Sequence, residues 1–221
     1  MASVTSRRYQ YGASFVDQAS GVRFEGHHPL ERPDLWRLYL DEAEGTYRGY
    51  GFEGTLRRRE MDEGEGVSLF FLGFASDGRA VAGLRVHGPL DGSYQAALLE
   101  EMADSPEIDE VAELIDREVR LGVVEIKGAW SKGEADVGHR LVETLSRCVT
   151  HSLNWLGAEL AIAAISDTLK PAGDITGATQ IGTRWVPFPD ERYRTIALSW
   201  RRSRSYELCT PAHQQNLRRE A

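Results

Sequence analysis

The stretch ELAIAAIS, residues 159–166, restricts the fold more than any other part of the chain. Past Glu159 its apolar residues occupy odd and even positions alike, so a strand built from it has no polar face to turn to water. Such a strand is stable only when both faces are covered, which places it inside a sheet flanked by helices on either side. The chain has 221 residues, 41% of them hydrophobic and 27% charged, enough for one sizeable α/β domain with a core of its own.

The segments around this strand have matching periodicities. GVRFEG (21–26) alternates and predicts a first strand. Pro33 and Asp34 suit the first turn of a helix on which Leu35, Leu38 and Tyr39 recur at helical spacing. Residues 45–66, rich in Gly, Arg and Glu, read as an irregular excursion. VSLFFLGFA (67–75) and RAVAGLRVHG (79–88) flank Asp77-Gly78, a strong hairpin signal. Helical stretches follow around 94–103 and 108–119, the second with Ile108, Val111, Leu114 and Ile115 on one face. A strand over 123–130 leads into a helix from Asp136, with Leu141, Leu145, Cys148, Val149 and Leu153 on one stripe and Arg140, Glu143 and Arg147 opposite. Residues 170–182 have room for one short helix, and TRWVPF and RYRTIALSWR predict two closing strands. The expected order is β-α-β-β-α-β-α-β-(α)-β-β, a domain over residues 21–202. A loosely ordered segment (1–20) precedes it and a polar tail (203–221) follows.

Several function classes are excluded by composition. The formal net charge of −8 argues against a general binder of nucleic acid or anionic membrane. No apolar run approaches the roughly 20 residues that span a bilayer, and MASVTSRRYQYGASF has no apolar signal core, so a cytoplasmic protein is expected. Cys148 and Cys209 are too few for a disulfide framework or a metal site. Two basic clusters, Arg57-Arg58-Arg59 and Arg201/Arg202/Arg204, are local exceptions to the acidic balance.

The element order, with a hairpin ahead of a strand–turn–helix, resembles the GNAT acyltransferase superfamily. Within it, the chain is most similar to the acyl-homoserine-lactone (autoinducer) synthases and the N-acyl amino acid synthases. Three stretches carry the likeness: Glu60-Met61-Asp62, similar to an acidic E-x-D; GLRVHGPLDGSYQAALLEEM (83–102), similar to a Gly-x-Arg-Leu strand end, turn and helix; and VVEIKGAW (123–130), similar to a Trp-Glu-Leu-Ser-Arg-Phe strand. The resemblance, over residues 22–200, implies an α/β fold, a GNAT-like single domain with a twisted mixed central sheet and helices on both faces. It implies N-acyltransfer from an acyl thioester, acyl-CoA or acyl carrier protein, to an amine of a small molecule such as an amino acid, with no tightly bound cofactor and no metal. The alternative is a catalytically silent GNAT-like module that binds an acyl ligand or a partner protein.

On that resemblance Glu125 and Arg85 are the candidate catalytic residues. An acid in an apolar strand must be paired or functional. Glu125 is therefore either an ion-pair partner of Lys127 or Arg85, or a cleft carboxylate that deprotonates or orients the attacking amine. Arg85 either binds an acidic substrate group or pairs with Glu60 or Asp62. A CoA-type diphosphate would meet Lys127 and the turn Gly133, Asp136, Val137, Gly138 and His139. There Glu134 repels phosphate and Asp136 is placed to cap the helix itself. Two departures stand out: Gly128 occupies the place of the synthase arginine, and Gly133 that of the Arg or Gln of acetyl-CoA-binding loops. His87 and His139 have no spacing that pairs them with a nucleophile. An acidic carrier protein would dock on Arg57, Arg58 and Arg59.

Overall fold

The computed structural model describes residues 12–132 and 135–220, and within them not the side chains of residues 59, 60, 135–140 and 183. In chain order the elements are β1 (Ser14–Val16), β2 (Arg23–His27), α1 (Pro33–Tyr50), α2 (Arg58–Met61), β3 (Val67–Phe74), β4 (Ala80–His87), α3 (Ala97–Glu101) and α4 (Ile108–Glu118). They continue as β5 (Val123–Ser131), α5 (Ala135–Leu156), β6 (Leu160–Ser166), α6 (Lys170–Ile175), β7 (Thr179–Pro187), β8 (Arg194–Arg201), α7 (Arg202–Leu208) and α8 (Pro211–Glu220). The eight strands form one sheet in the order β1-β2-β3-β4-β5-β6-β8-β7. Every neighbouring pair is antiparallel except β5 and β6.

The fully apolar β6 is an inner strand between β5 and β8, as its lack of a polar face requires. On one face of the sheet, Leu141, Leu145, Cys148, Val149 and Leu153 of α5 pack on Leu84, Val124, Ile126 and Ala161. On the other face, α1 packs on Phe70, Leu72 and Trp130, while α3 and α4 cover Val123, Leu160 and Ile162. The mixed α/β sheet with helices on both faces is therefore present, and the Asp77-Gly78 hairpin joins β3 to β4.

Three segments differ from the sequence expectation. Residues 45–66 are more regular than their composition suggests. Helix α1 runs through Gly45 and Gly49 to Tyr50 and ends on Gly51, whose left-handed conformation (φ 76°) closes it. Burial of Trp36, Tyr39, Leu40 and Ala43 outweighs the poor helix propensity of the two glycines. Residues 14–16, expected to be loose, form the edge strand β1, with Phe15 buried and stacked on Phe24. The polar tail folds as α7 and α8, burying Ser205, His213 and Leu217.

Both ends of the described chain are held by α5. Arg147, expected on its solvated face, is buried. Its Nε donates to Glu220 Oε1 at 2.9 Å, and its Nη2 donates to Asp17 just after β1 and to Thr144 Oγ1 at 3.2 Å. His151, one turn on, meets the other Glu220 oxygen at 2.9 Å. A buried arginine facing two buried carboxylates is strongly destabilised when any one partner is lost. Arg147→Leu is therefore expected to lower the unfolding free energy by about 3 kcal/mol or more, read from the urea midpoint. A loss below about 1 kcal/mol would mean that water reaches the stranded carboxylates.

Candidate active site

Strands β5 and β6 pair only over Val123–Glu125 with Leu160–Ile162. Beyond Glu125, β5 continues its ladder with β4 alone, and β6 stays with β8. The two strands part, and a cavity of about 410 Å³ opens between them. It is walled from both faces of the sheet. Leu84, Ile126, Leu145, Val149, Ala163 and Trp200 form an apolar side beneath α5. Arg85, Glu101 and Lys127 form a charged side near α1 and α3. At the rim the ring of Phe52 meets that of Tyr193 edge-on at 5.3 Å and stacks on Tyr50 at 5.6 Å.

The gap edge of β5 is shaped by a bulge. Gly83 faces Trp130 and Arg85 faces Lys127, so β5 carries one residue more than β4 across this interval. Gly128 takes up the extra residue with φ 58°, the left-handed conformation that suits glycine. A Cβ there would also press into the Tyr39 hydroxyl and the Arg85 guanidinium. Glycine in place of the synthase arginine is thus a steric requirement of this strand. The bulge carbonyls are held from α1: Tyr39 Oη donates to Gly128 O at 2.7 Å and Tyr47 Oη to Ala129 O at 3.2 Å.

Glu125 is 1% exposed and does not line the cavity. Its Oε2 accepts the backbone N–H of Ala97 at 3.0 Å and its Oε1 that of Leu98 at 2.7 Å. The carboxylate thereby supplies the capping oxygens that the side chain of Ala96, at the start of α3, lacks. Burial pushes its pKa above the usual carboxylate range, while Lys127 pulls it down, Glu101 pushes it up and the two N–H groups pull it down. Lys127 Nζ bonds Glu101 Oε1 and lies 3.8 Å from Glu125 Oε1. Of the two ion pairs expected for Glu125, the one with Lys127 forms, and none with Arg85 is found among the described residues.

Arg85 is 3% exposed. Its Nε donates to His87 Nε2 at 2.9 Å and its Nη2 points at Leu56 O at 3.5 Å, while Nη1 has no hydrogen-bond partner among the described residues. The side chain of Glu60 lies outside the description, and Asp62 faces Arg58 at 3.9 Å. His87 accepts from Arg85, so its proton sits on Nδ1 and it orients the guanidinium. Burial, then Arg85 and Lys127, lower its pKa to about 3, which keeps it neutral.

The cofactor residues expected around the turn are only partly in view. Lys127 lines the cavity, Gly133 lies outside the described residues, and Asp136, Val137, Gly138 and His139 lie in the first turns of α5 with their side chains outside the description. Since α5 begins at Ala135, Asp136 stands inside the helix and not at its cap, one position from the expected boundary. Arg57 pairs with Glu100 at 2.5 Å, and Arg58 with Asp41 at 2.6 Å and Glu44 at 3.1 Å, so the basic patch is locally neutralised; the Arg59 side chain lies outside the description. No group of His, Cys, Asp and Glu among the described residues is arranged to hold a metal ion, and no described helix is long and apolar enough to cross a membrane. The sequence reading missed Glu101. The available signal was Lys127, a cation on an otherwise apolar strand, which calls for an acid from another element.

No protein-family profile matches the chain. Uncharacterized proteins of Mycobacterium bovis and Mycobacterium tuberculosis are 31% identical over 181 residues, 79% of this chain and 66% of theirs, so the match spans just under two thirds of their length. Among solved structures, FeeM, an N-acyl amino acid synthase from uncultured soil microbes, superposes with a TM-score of 0.58 at 16% identity, over 88% of this chain and 98% of FeeM. BjaI, a CoA-dependent acyl-homoserine lactone synthase solved with SAM and isopentyl-CoA, gives 0.55 at 14% identity over 90% of each chain. An arylalkylamine N-acetyltransferase of the yellow fever mosquito gives 0.50 at 15% identity, over 90% of this chain and 98% of that one. At such identities the likeness is one of architecture: the chain has a GNAT-like fold, similar to that of the N-acyl amino acid synthase FeeM and the acyl-homoserine lactone synthase BjaI.

Proposed function

We propose that the chain is an N-acyltransferase that moves an acyl group from an acyl thioester to an amine of a small molecule such as an amino acid. The observation that carries this reading is the cavity at the parting of β5 and β6, apolar on one side of the sheet and charged on the other. An acyl chain suits the side formed by Leu84, Leu145, Val149 and Trp200, where its burial is favourable by about 0.8 kcal/mol per methylene. A polar acceptor suits the side of Arg85, Glu101 and Lys127. The reacting carbonyl would then lie at the gap, where the backbone of β5 beyond Glu125 has no strand partner on its β6 side and offers N–H groups to a developing oxyanion. Positioning supplies most of the rate in this reading.

Arg85 is the binding residue for an anionic group of donor or acceptor. It is a buried cation in the cavity wall with no carboxylate partner among the described residues, and its orientation is set by His87. Glu125 is a positioning residue that holds α3, and with it the charged wall, against β5. Acyl-CoA and acyl carrier protein remain the two donors, and the fold shared with FeeM, an N-acyl amino acid synthase, and BjaI, a CoA-dependent acyl-homoserine lactone synthase, supports the class of reaction.

The purified chain, given decanoyl-CoA or a decanoyl carrier protein and a pool of common amino acids, is expected to yield N-acyl amino acids detectable by mass spectrometry. Binding of the donor with no product in any combination would favour the silent acyl-binding module. Glu125→Gln offers one acceptor where two N–H groups need two, so it should cost about 1–3 kcal/mol of stability and lower kcat/KM at least about tenfold. Unchanged turnover in the folded variant removes Glu125 from the reaction. Replacing Arg57, Arg58 and Arg59 together with Ser should slow transfer from the carrier protein, more so at low salt, and leave transfer from decanoyl-CoA intact. An equal loss with both donors would show that these arginines support the fold.

A further inference from the structure

We propose that Glu101, at the end of α3, is the carboxylate that takes the proton from the acceptor's ammonium group. The inference rests on the acyltransferase reading. An amine enters such a site protonated at neutral pH and has no lone pair for attack until a base removes one proton. Among the described residues Glu101 is the one carboxylate in the cavity wall, because Glu125 lies behind it, sealed by α3.

Its placement is determined by two other elements. Glu101 is the last residue of α3, whose first turn is fixed on Glu125. Its Oε1 is bound by Lys127, which projects from the same face of β5 as Glu125. Oε2 has no hydrogen bond among the described residues, so one oxygen is anchored and the other is free to meet a ligand of the cavity that Glu101 lines. Arg85, opposite Lys127 in the β4–β5 ladder, is the independent sign that this wall receives a ligand: it is a second buried cation lining the same cavity, and no carboxylate pairs with it among the described residues. The four groups Arg85, Lys127, Glu101 and Glu125 balance in charge, with the positive and negative members that face the cavity both presented to the ligand.

The reaction then balances as follows. Glu101 Oε2 accepts one proton from R–NH3⁺, and the freed lone pair attacks the thioester carbonyl carbon. The C–N bond forms and the carbonyl π pair moves to oxygen. On its return the C–S bond breaks and the thiolate leaves with the bonding pair. The second amine proton passes to that sulfur, giving the amide and a thiol, and Glu101 releases its proton to solvent. No oxidant, metal or further reactant is required.

The test compares the wild-type chain with Glu101→Gln, using decanoyl-CoA and a pool of common amino acids, with kcat/KM followed from pH 6 to 9. Gln keeps the size of the side chain and its bond from Lys127 but cannot take the proton. At pH 7 the variant should be slower by at least about tenfold, and its rate should climb steeply with pH as unprotonated amine becomes available, converging on the wild type at the alkaline end. The KM for decanoyl-CoA should not change. A loss that is the same at every pH assigns Glu101 a purely structural part and overturns the proposal, as does undiminished turnover. Should the Gln variant fail to fold, Glu101→Asp takes its place. It retains a carboxylate, so its rate should be lower with the wild-type pH profile, and a steep profile would overturn the assignment. If the wild-type chain itself transfers nothing from decanoyl-CoA or a decanoyl carrier protein, the acyltransferase reading falls and the role of Glu101 with it, an outcome distinct from an active wild type with an equally active variant.

Discussion

The architecture turns on a parallel pairing that stops after three residues. Val123–Glu125 and Leu160–Ile162 hold β5 and β6 together at one end, and antiparallel partners on their outer sides then draw them apart. Neither strand is exposed by this, since each keeps one complete ladder. The unpaired inner edges instead face a cavity that the helices on both faces close over. The bulge at Gly128 steepens the divergence on the β5 side, and two tyrosines of α1 satisfy the carbonyls it releases. A sheet that must be covered on both faces thus contains one place where material from both layers can meet.

The charged wall follows from the same strand. Alternation puts Glu125 and Lys127 on one face of β5, two residues apart, and Arg85 beside them on β4. Three ionisable groups buried together need partners from elsewhere, and α3 provides them: two backbone N–H groups for Glu125 and the Glu101 carboxylate for Lys127. Arg85 is served differently, by a neutral histidine and a backbone carbonyl, neither of which neutralises it. No carboxylate pairs with it directly among the described residues.

Where residues are near neighbours in sequence, their arrangement was legible. Asp77-Gly78 announces the β3–β4 hairpin, the two-sided apolar run of β6 announces an inner strand, and the stripe from Leu141 to Leu153 announces the packed face of α5. Glu125 and Arg85 could be singled out because charge on an apolar strand demands an explanation. The rest depends on partners that no local pattern names. Arg147 looks like part of a solvated face, because Asp17 and Glu220, which bury it, belong to distant segments. Helix α1 outlasts its glycines because of burial against β3 and β5. The separation of β5 from β6 has no signature at all, since it depends on which strands flank them.

The network around Arg147 also bears on the order in which the molecule assembles. Asp17 precedes Arg147 by 130 residues and Glu220 follows it by 73, so the network joins contacts of very long sequence separation. Loop closure over such distances is slow, and it is deferred further when one partner is made 73 residues after the other. During synthesis the hairpin, β5 and β6 are available to pair well before α8 emerges, and until then Arg147 and His151 remain hydrated on an uncovered side of α5. The helix that walls the apolar half of the cavity is therefore clamped only after the strands beneath it have paired.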